Sequence, residues 1–156
     1  MSELTVAAPR PVAIPAMTEQ AIARVCALES RVEHLPQTDI GTHHVLHAGL
    51  YARSILIPQG TLLTGALVQV ATTLIVSGHV SVYLADQVTE IEGYAVLPAS
   101  AHRKQAFVAH ADTHLTMVFA TSAQTVADAE DEFTREADRL MSRHSGAVNH
   151  VHITKE

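Results

Sequence analysis

The stretch Arg53–Tyr83, RSILIPQGTLLTGALVQVATTLIVSGHVSVY, constrains this chain more than any other. It packs Ile, Leu, Val and Thr at a density that suits pleated, half-buried strands. Two signals interrupt it, Pro58-Gln59-Gly60 and Ser77-Gly78, and each predicts a corner, because Pro and Gly are poor residues for a central strand and good ones for a turn. Between Leu62 and Val76 no residue is charged and Gln69 carries the only amide, so any acid, base or metal ligand has to come from elsewhere.

Alternation and turn signals extend the strands on both sides. The expected set is 42–47, 50–57, 61–70, 72–77, 79–85, 87–92, 94–98, 103–110 and 113–120, a hairpin rhythm that belongs to an all-β sandwich or barrel and not to a βαβ fold. Two amphipathic helices flank this block. Ile22, Val25, Leu28, Val32 and Leu35 recur at spacings of three and four after the capping residue Thr18, and Pro36 stops the run. At the other end Thr121 is the expected cap, and Val126, Ala129, Phe133, Ala137 and Leu140 form the apolar face up to Gly146. The opposite face carries Asp128, Glu130, Asp131, Glu132, Glu136 and Asp138, which reads as solvated surface.

The division that follows is a Pro-containing extended arm at 1–16, a helix at 17–35, a β-roll at 36–121, a helix at 122–145 and a tail at 146–156. The arm, with Pro9, Pro11 and Pro15, is suited to lying on a neighbouring subunit. A chain of 156 residues buries roughly 68 to 70% of its unfolded surface, enough for one core. Sixteen acids against ten Lys and Arg argue against nucleic-acid binding. No apolar run reaches the roughly 20 residues that span a bilayer, and the first residues lack an export signal, so a soluble, unexported protein is expected. The single Cys26 falls on the apolar side of the first helix and suggests packing in a reduced compartment.

Eleven histidines are the compositional oddity. His43 and His47 share one side of a strand while His44 points the other way. His110, Asp112 and His114 alternate, but HADT reads as a turn that scatters them. His150 and His152 stand in the tail, free in water or facing another chain. Arg103 and Lys104, next to His102, read as a small basic spot on the surface. No nucleophile elbow and no Gly-rich phosphate loop is present.

Gly49-Leu50-Tyr51-Ala52-Arg53, Ile57-Pro58 with Gly60-Thr61, Thr64-Gly65, Ile75-Val76-Ser77-Gly78, and Ala109-His110 with Asp112-Thr113 together resemble the cupin-like proteins of tailed bacteriophages and prophages, over about Leu35 to Phe133. The resemblance implies a mainly β fold, a cupin-type double-stranded β-helix of jelly-roll form flanked by an N-terminal and a C-terminal α-helix, and homo-oligomers, dimers or trimers. Members of this family carry His-x-His and further ligands just after Thr-Gly. Here Ala66 to Thr72 offers methyl groups, one amide and a hydroxyl, and Pro98 to His102 lacks the later Gly. The expectation is therefore a roll without catalytic residues, metal or other cofactor, its interior packed by Leu67, Val68 and Ile75. The role that follows is a non-catalytic structural protein of a phage particle, decorating the capsid or associated with the tail, found in the virion or host cytoplasm. The alternative is a soluble cupin enzyme or ligand-binding protein whose site has moved to His102, His110 and one of His43, His44 or His47.

Overall fold

The computed structural model describes residues 13–84 and 87–156. The notional arm at 1–16 therefore lies mostly outside the described residues. Its last part is held by its own chain, since Ile14 N–H donates to Pro98 O at 2.9 Å and Ile14 O accepts from Ser100 N at 2.8 Å.

The first helix, α1, runs Glu19–Val32, and Thr18 caps it by accepting from Ala21 N at 3.1 Å. It buries Ala21, Ile22 and Val25, with Cys26 packed partly against the core. It is shorter than the expected 17–35, and Leu35 is exposed.

Among the described residues eight strands follow: β1 Thr42–His47, β2 Leu50–Ile57, β3 Leu62–Thr64, β4 Thr72–Tyr83, β5 Val88–Ala99, β6 Ala106–Ala109, β7 Thr113–Ala120 and β8 Asn149–Ile153. They form one mixed sheet in the order β3-β6-β4-β7-β2-β1-β8, with β5 on the other edge of β4. The strand β4 organises the sheet. One edge pairs with β5 along its whole length, while the other is shared, Thr73–Ser77 with β7 and Val80–Tyr83 with β6. An edge that serves two neighbours makes the sheet curl.

That curl corrects the expected turn at Ser77-Gly78. Gly78 lies inside β4 with φ +148, directly opposite Gly93 in β5 with φ +86, so two expected strand pairs are one long ribbon bent at a pair of glycines. A Cβ on Gly78 would stand 2.5 Å from Thr113 Oγ1 and 2.7 Å from Asp112 O. Only glycine lets β7 begin that close to β4.

Two further expectations change. The segment 61–70 is strand only at β3, and Gly65 and Val68 instead bond Gln105 and Arg103 through their backbones. The second helix is not 122–145: α2 spans Val126–Phe133, capped by Thr125 and not Thr121, and Thr134 leaves it in extended geometry. Thr134 Oγ1 accepts from Glu136 N at 3.1 Å, a local bond that competes with helix continuation. Two short 3-10 turns, Ala137–Arg139 and Met141–Arg143, carry the chain onward. The tail is not free either, because β8 pairs in parallel with β1.

Inward residues form cross-strand rows on the concave face. Leu46, Tyr51 and Phe119 make one row, His44, Arg53, Met117 and Leu74 the next, and Thr42, Ile55, Leu115 and Val76 a third. The first row closes the core, with Tyr51 edge-on to Phe119 and Phe119 edge-on to Phe133 of α2. Among the described residues no helix is long and apolar enough to cross a membrane.

Candidate functional site

The second and third rows do not close. They border a cavity of about 700 Å³, which is also lined by Phe107, Gln105 and Arg103 from the β6 side and by Phe133. Leu35, Gln37 and Gly60, all exposed, mark where it meets solvent. The expected interior packed by Leu67, Val68 and Ile75 is thus corrected. Those three side chains are only half-buried, and the roll is hollow.

Arg103 and Lys104 are not a surface spot: both are buried. They enter the interior because His102 takes φ +64 and its N–H, with that of Arg103, reaches Val68 O, turning the chain inward before β6. Lys104 is neutralised, with Nζ 3.0 Å from both Glu29 Oε2 and Glu136 Oε2. Burial raises the Glu136 pKa, but bonds from Lys104 and from Leu67 N–H outweigh it and hold the carboxyl below its ordinary range.

Arg103 has no such partner. Nη1 donates to Ser100 O at 2.6 Å and, more weakly, to Val70 O at 3.4 Å, Nη2 to Thr72 Oγ1 at 2.7 Å, and Nε to Gln105 Oε1 at 3.3 Å. These bonds occupy four of the five guanidinium N–H groups and every acceptor is neutral. Among the described residues no carboxylate pairs with Arg103. Desolvation pushes its pKa down to about 10, so it stays charged at neutral pH. Gln105 spends its oxygen on Arg103, and its buried Nε2 has no hydrogen-bond partner. A buried amide without a partner costs about 1–3 kcal/mol, so these donors and this charge favour an acceptor oxygen.

A second polar network borders the cavity. His44 Nε2 donates to Asn149 Oδ1 at 2.6 Å, and Tyr51 O–H donates to His44 Nδ1 at 2.7 Å. Asn149 Nδ2 donates to Ser142 O, which fixes the amide orientation and with it the imidazole tautomer. Arg53 then links Tyr51 to Glu130, 2.6 Å away. Glu130, expected on a solvated face, is buried, where it also accepts from Ser142 and Arg143. Burial raises its pKa, but those donors win and hold it below its ordinary range.

The structure disperses the histidines expected to form a relocated site. His43 stacks on His150 with ring centroids 4.4 Å apart, and His47 bonds Thr154, both on the exposed side of the β1–β8 edge. His102 pairs with Glu19 at 2.8 Å, and His110 bonds Ser81 at 2.6 Å from the turn between β6 and β7. Asp112, in the same turn, accepts from Gln59 N, and His114 faces outward on β7. Among the described residues the cavity lining holds one histidine, His144, and four carboxylates, of which Glu29 and Glu136 are tied to Lys104, Glu33 to Arg139 and Asp138 to Arg143. This donor set does not fit the metal that a cupin resemblance implies, which needs three or more free imidazoles or carboxylates. The residues that sequence reasoning missed are Arg103 and Gln105. The signal available was Arg-Lys-Gln inside a predicted strand, 103–110, where two adjacent residues cannot both face water on a half-buried sheet.

No family model and no curated protein matches the sequence. Solved structures similar to this chain include cupin proteins. A cupin-2 domain protein from Shewanella frigidimarina aligns at 7% identity over 60% of this chain and 91% of its own, with a TM-score of 0.44. A cupin superfamily protein from Desulfitobacterium hafniense aligns at 12% identity over 73% and 100%, TM-score 0.44. Ectoine synthase from P. lautus aligns at 18% identity over 63% and 75%, TM-score 0.47. Likeness at this level carries no argument about activity, and the fold rests on the strand pairing.

Proposed function

We propose that this protein is a cupin-type roll that binds a small carboxylate-bearing molecule in its interior. The observation that carries the reading is a cavity of about 700 Å³ whose wall holds a buried arginine and a buried amide that, among the described residues, have no carboxylate and no partner respectively. Ligand pockets of about 300–1,000 Å³ with apolar walls and a few convergent polar groups are the usual form for small molecules. The carboxylate would accept from Gln105 Nε2 and the remaining N–H of Arg103, while an apolar body would lie against Ile55, Leu115 and Phe107. The reading is of a binding protein, because among the described residues each of the four carboxylates that line the cavity is paired with a Lys or Arg.

The virion role rested on the resemblance to phage cupins, on a pocket without polar chemistry, on termini suited to reaching neighbours and on a small acidic chain. Arg103 and Gln105 remove the second of these premises, and the similar structures lend no support to a phage particle. Assembly into dimers or trimers remains part of the proposal, supported by the exposed Tyr94 and Val96 on β5, whose outer edge among the described residues is covered only at its end by Ile14.

The test is calorimetric titration with a panel of aliphatic and aromatic monocarboxylates and their matched primary alcohols. Saturable binding of at least one acid but not its alcohol is expected. Gln105→Met should weaken that binding by about tenfold, while the ligand-free protein stays within about 1 kcal/mol of wild type, since removal of the unpaired Nε2 is offset by the loss of the Oε1 that accepts from Arg103 Nε. Acid and alcohol binding alike, or binding unchanged in Gln105→Met, would overturn the reading.

A further inference from the structure

The outer face of the β4–β5 ribbon carries a cluster separate from the cavity. His79 lies directly opposite Glu92, and Glu90 stands two residues along on the same face, opposite Ser81. One ligand atom from each of His79, Glu90 and Glu92 falls within 4.8 Å of the others. His79 Nε2 already touches Glu90 Oε1. None of the three lines the cavity.

The turn between β6 and β7 adds a second imidazole. His110 N–H donates to His79 O at 2.8 Å, and the two rings stand 4.7 Å apart at 51°. The four side chains thus come from two paired strands and one turn, set by the backbone and not by loop mobility. Among the described residues no ion pair brings a Lys or Arg to Glu90 or Glu92. Two carboxylates on one side of a strand beside two imidazoles form a donor set of nitrogen and oxygen that matches a borderline divalent cation. Tetrahedral zinc, with arms of about 2 Å, holds its donor atoms about 3.3 Å apart, within reach of small side-chain rotations of His79, Glu90 and Glu92, while His110 would exchange its Nε2 bond to Ser81 for the ion.

We propose that His79, Glu90 and Glu92, with His110 as fourth donor, bind a zinc ion on the outer face of the roll. The ion would clamp β4, β5 and the β6–β7 turn just beyond the bend at Gly78 and Gly93.

The chelator-stripped full chain, titrated with zinc chloride by calorimetry, tests this. One ion per chain with micromolar affinity is expected. His79→Ala should weaken binding by about tenfold or more, and so should the exposed double substitution Glu90→Gln with Glu92→Gln, which does not disturb the core. The pair His43→Ala and His150→Ala removes the other stacked imidazoles and should leave the affinity unchanged. Absence of saturable binding, wild-type affinity in either the His79 or the glutamate variant, or loss in the His43 and His150 variant would each overturn the proposal.

Discussion

Of the eleven histidines, His44 is the one that folding takes out of water. Burial lowers its pKa from the usual 6.5, opposed by the Asn149 bond and the nearby Glu130 charge and reinforced by Arg53. The fold binds the neutral ring, so the unfolded chain takes up a proton first as pH falls. The stability tied to His44 is complete above about 6.5 and is lost as pH drops from there towards the lowered folded value. Urea midpoints of wild type should therefore fall between about pH 7.5 and pH 5.5, and the fall should be shallower in His44→Gln. Parallel pH dependence in the two proteins would show that the ring contributes nothing to it. The alternation THHVLH set His44 on the opposite side from His43 and His47, and the structure shows that this side faces inward. Its partners were hidden, because Asn149 belongs to a strand with no sequence signal of its own.

At the scale of elements, β1, β2 and β7 were legible to the residue, since each alternates inside and outside and is bounded by a turn. The ribbon β4–β5 was not. Glycine marks a turn and a bend equally well, and only the register Gly78↔Gly93 tells them apart. The misreading also hid the cluster at His79, which pairs with Glu92 only if β4 continues through Gly78. The two glycines should differ sharply on substitution. Gly78→Ala forces a Cβ into Thr113 and strains a positive φ, for a loss of about 3 kcal/mol or more. Gly93→Ala meets nothing within 4 Å and should cost about 1 kcal/mol from backbone strain alone. Equal losses in thermal or urea unfolding would mean that the close approach at β7 does not matter. The end of α2 was illegible for a different reason, because the apolar face of Ala137 and Leu140 keeps its period beyond the point where Thr134 unwinds the helix.

For the molecule as a whole, Lys104 is the knot. Its ammonium joins β6's approach to α1 through Glu29 and to the segment after α2 through Glu136, while Arg139 also bonds Glu29 at 3.0 Å. Removing one partner from a buried charge group leaves the others uncompensated, so Lys104→Ala should cost about 3–5 kcal/mol. The two helical segments should also lose hydrogen-exchange protection together. Protection lost in only one of them would argue that they dock on the roll independently. Arg103 sits beside this knot yet stays outside it, and that separation gives the interior its unpaired charge.

Local pattern determined what can be set by neighbours in the chain: a mainly β fold, which residues of β1, β2 and β7 face inward, where α1 is capped, and that Ala66–Thr72 supplies no metal ligand set. Tertiary structure alone decided which charges meet, which strands share an edge of β4, and that the interior stays open. The physical reason is that side-chain period reports burial along one element, whereas the pairing of Lys104 with Glu29, or the isolation of Arg103, depends on elements brought together from distant parts of the sequence.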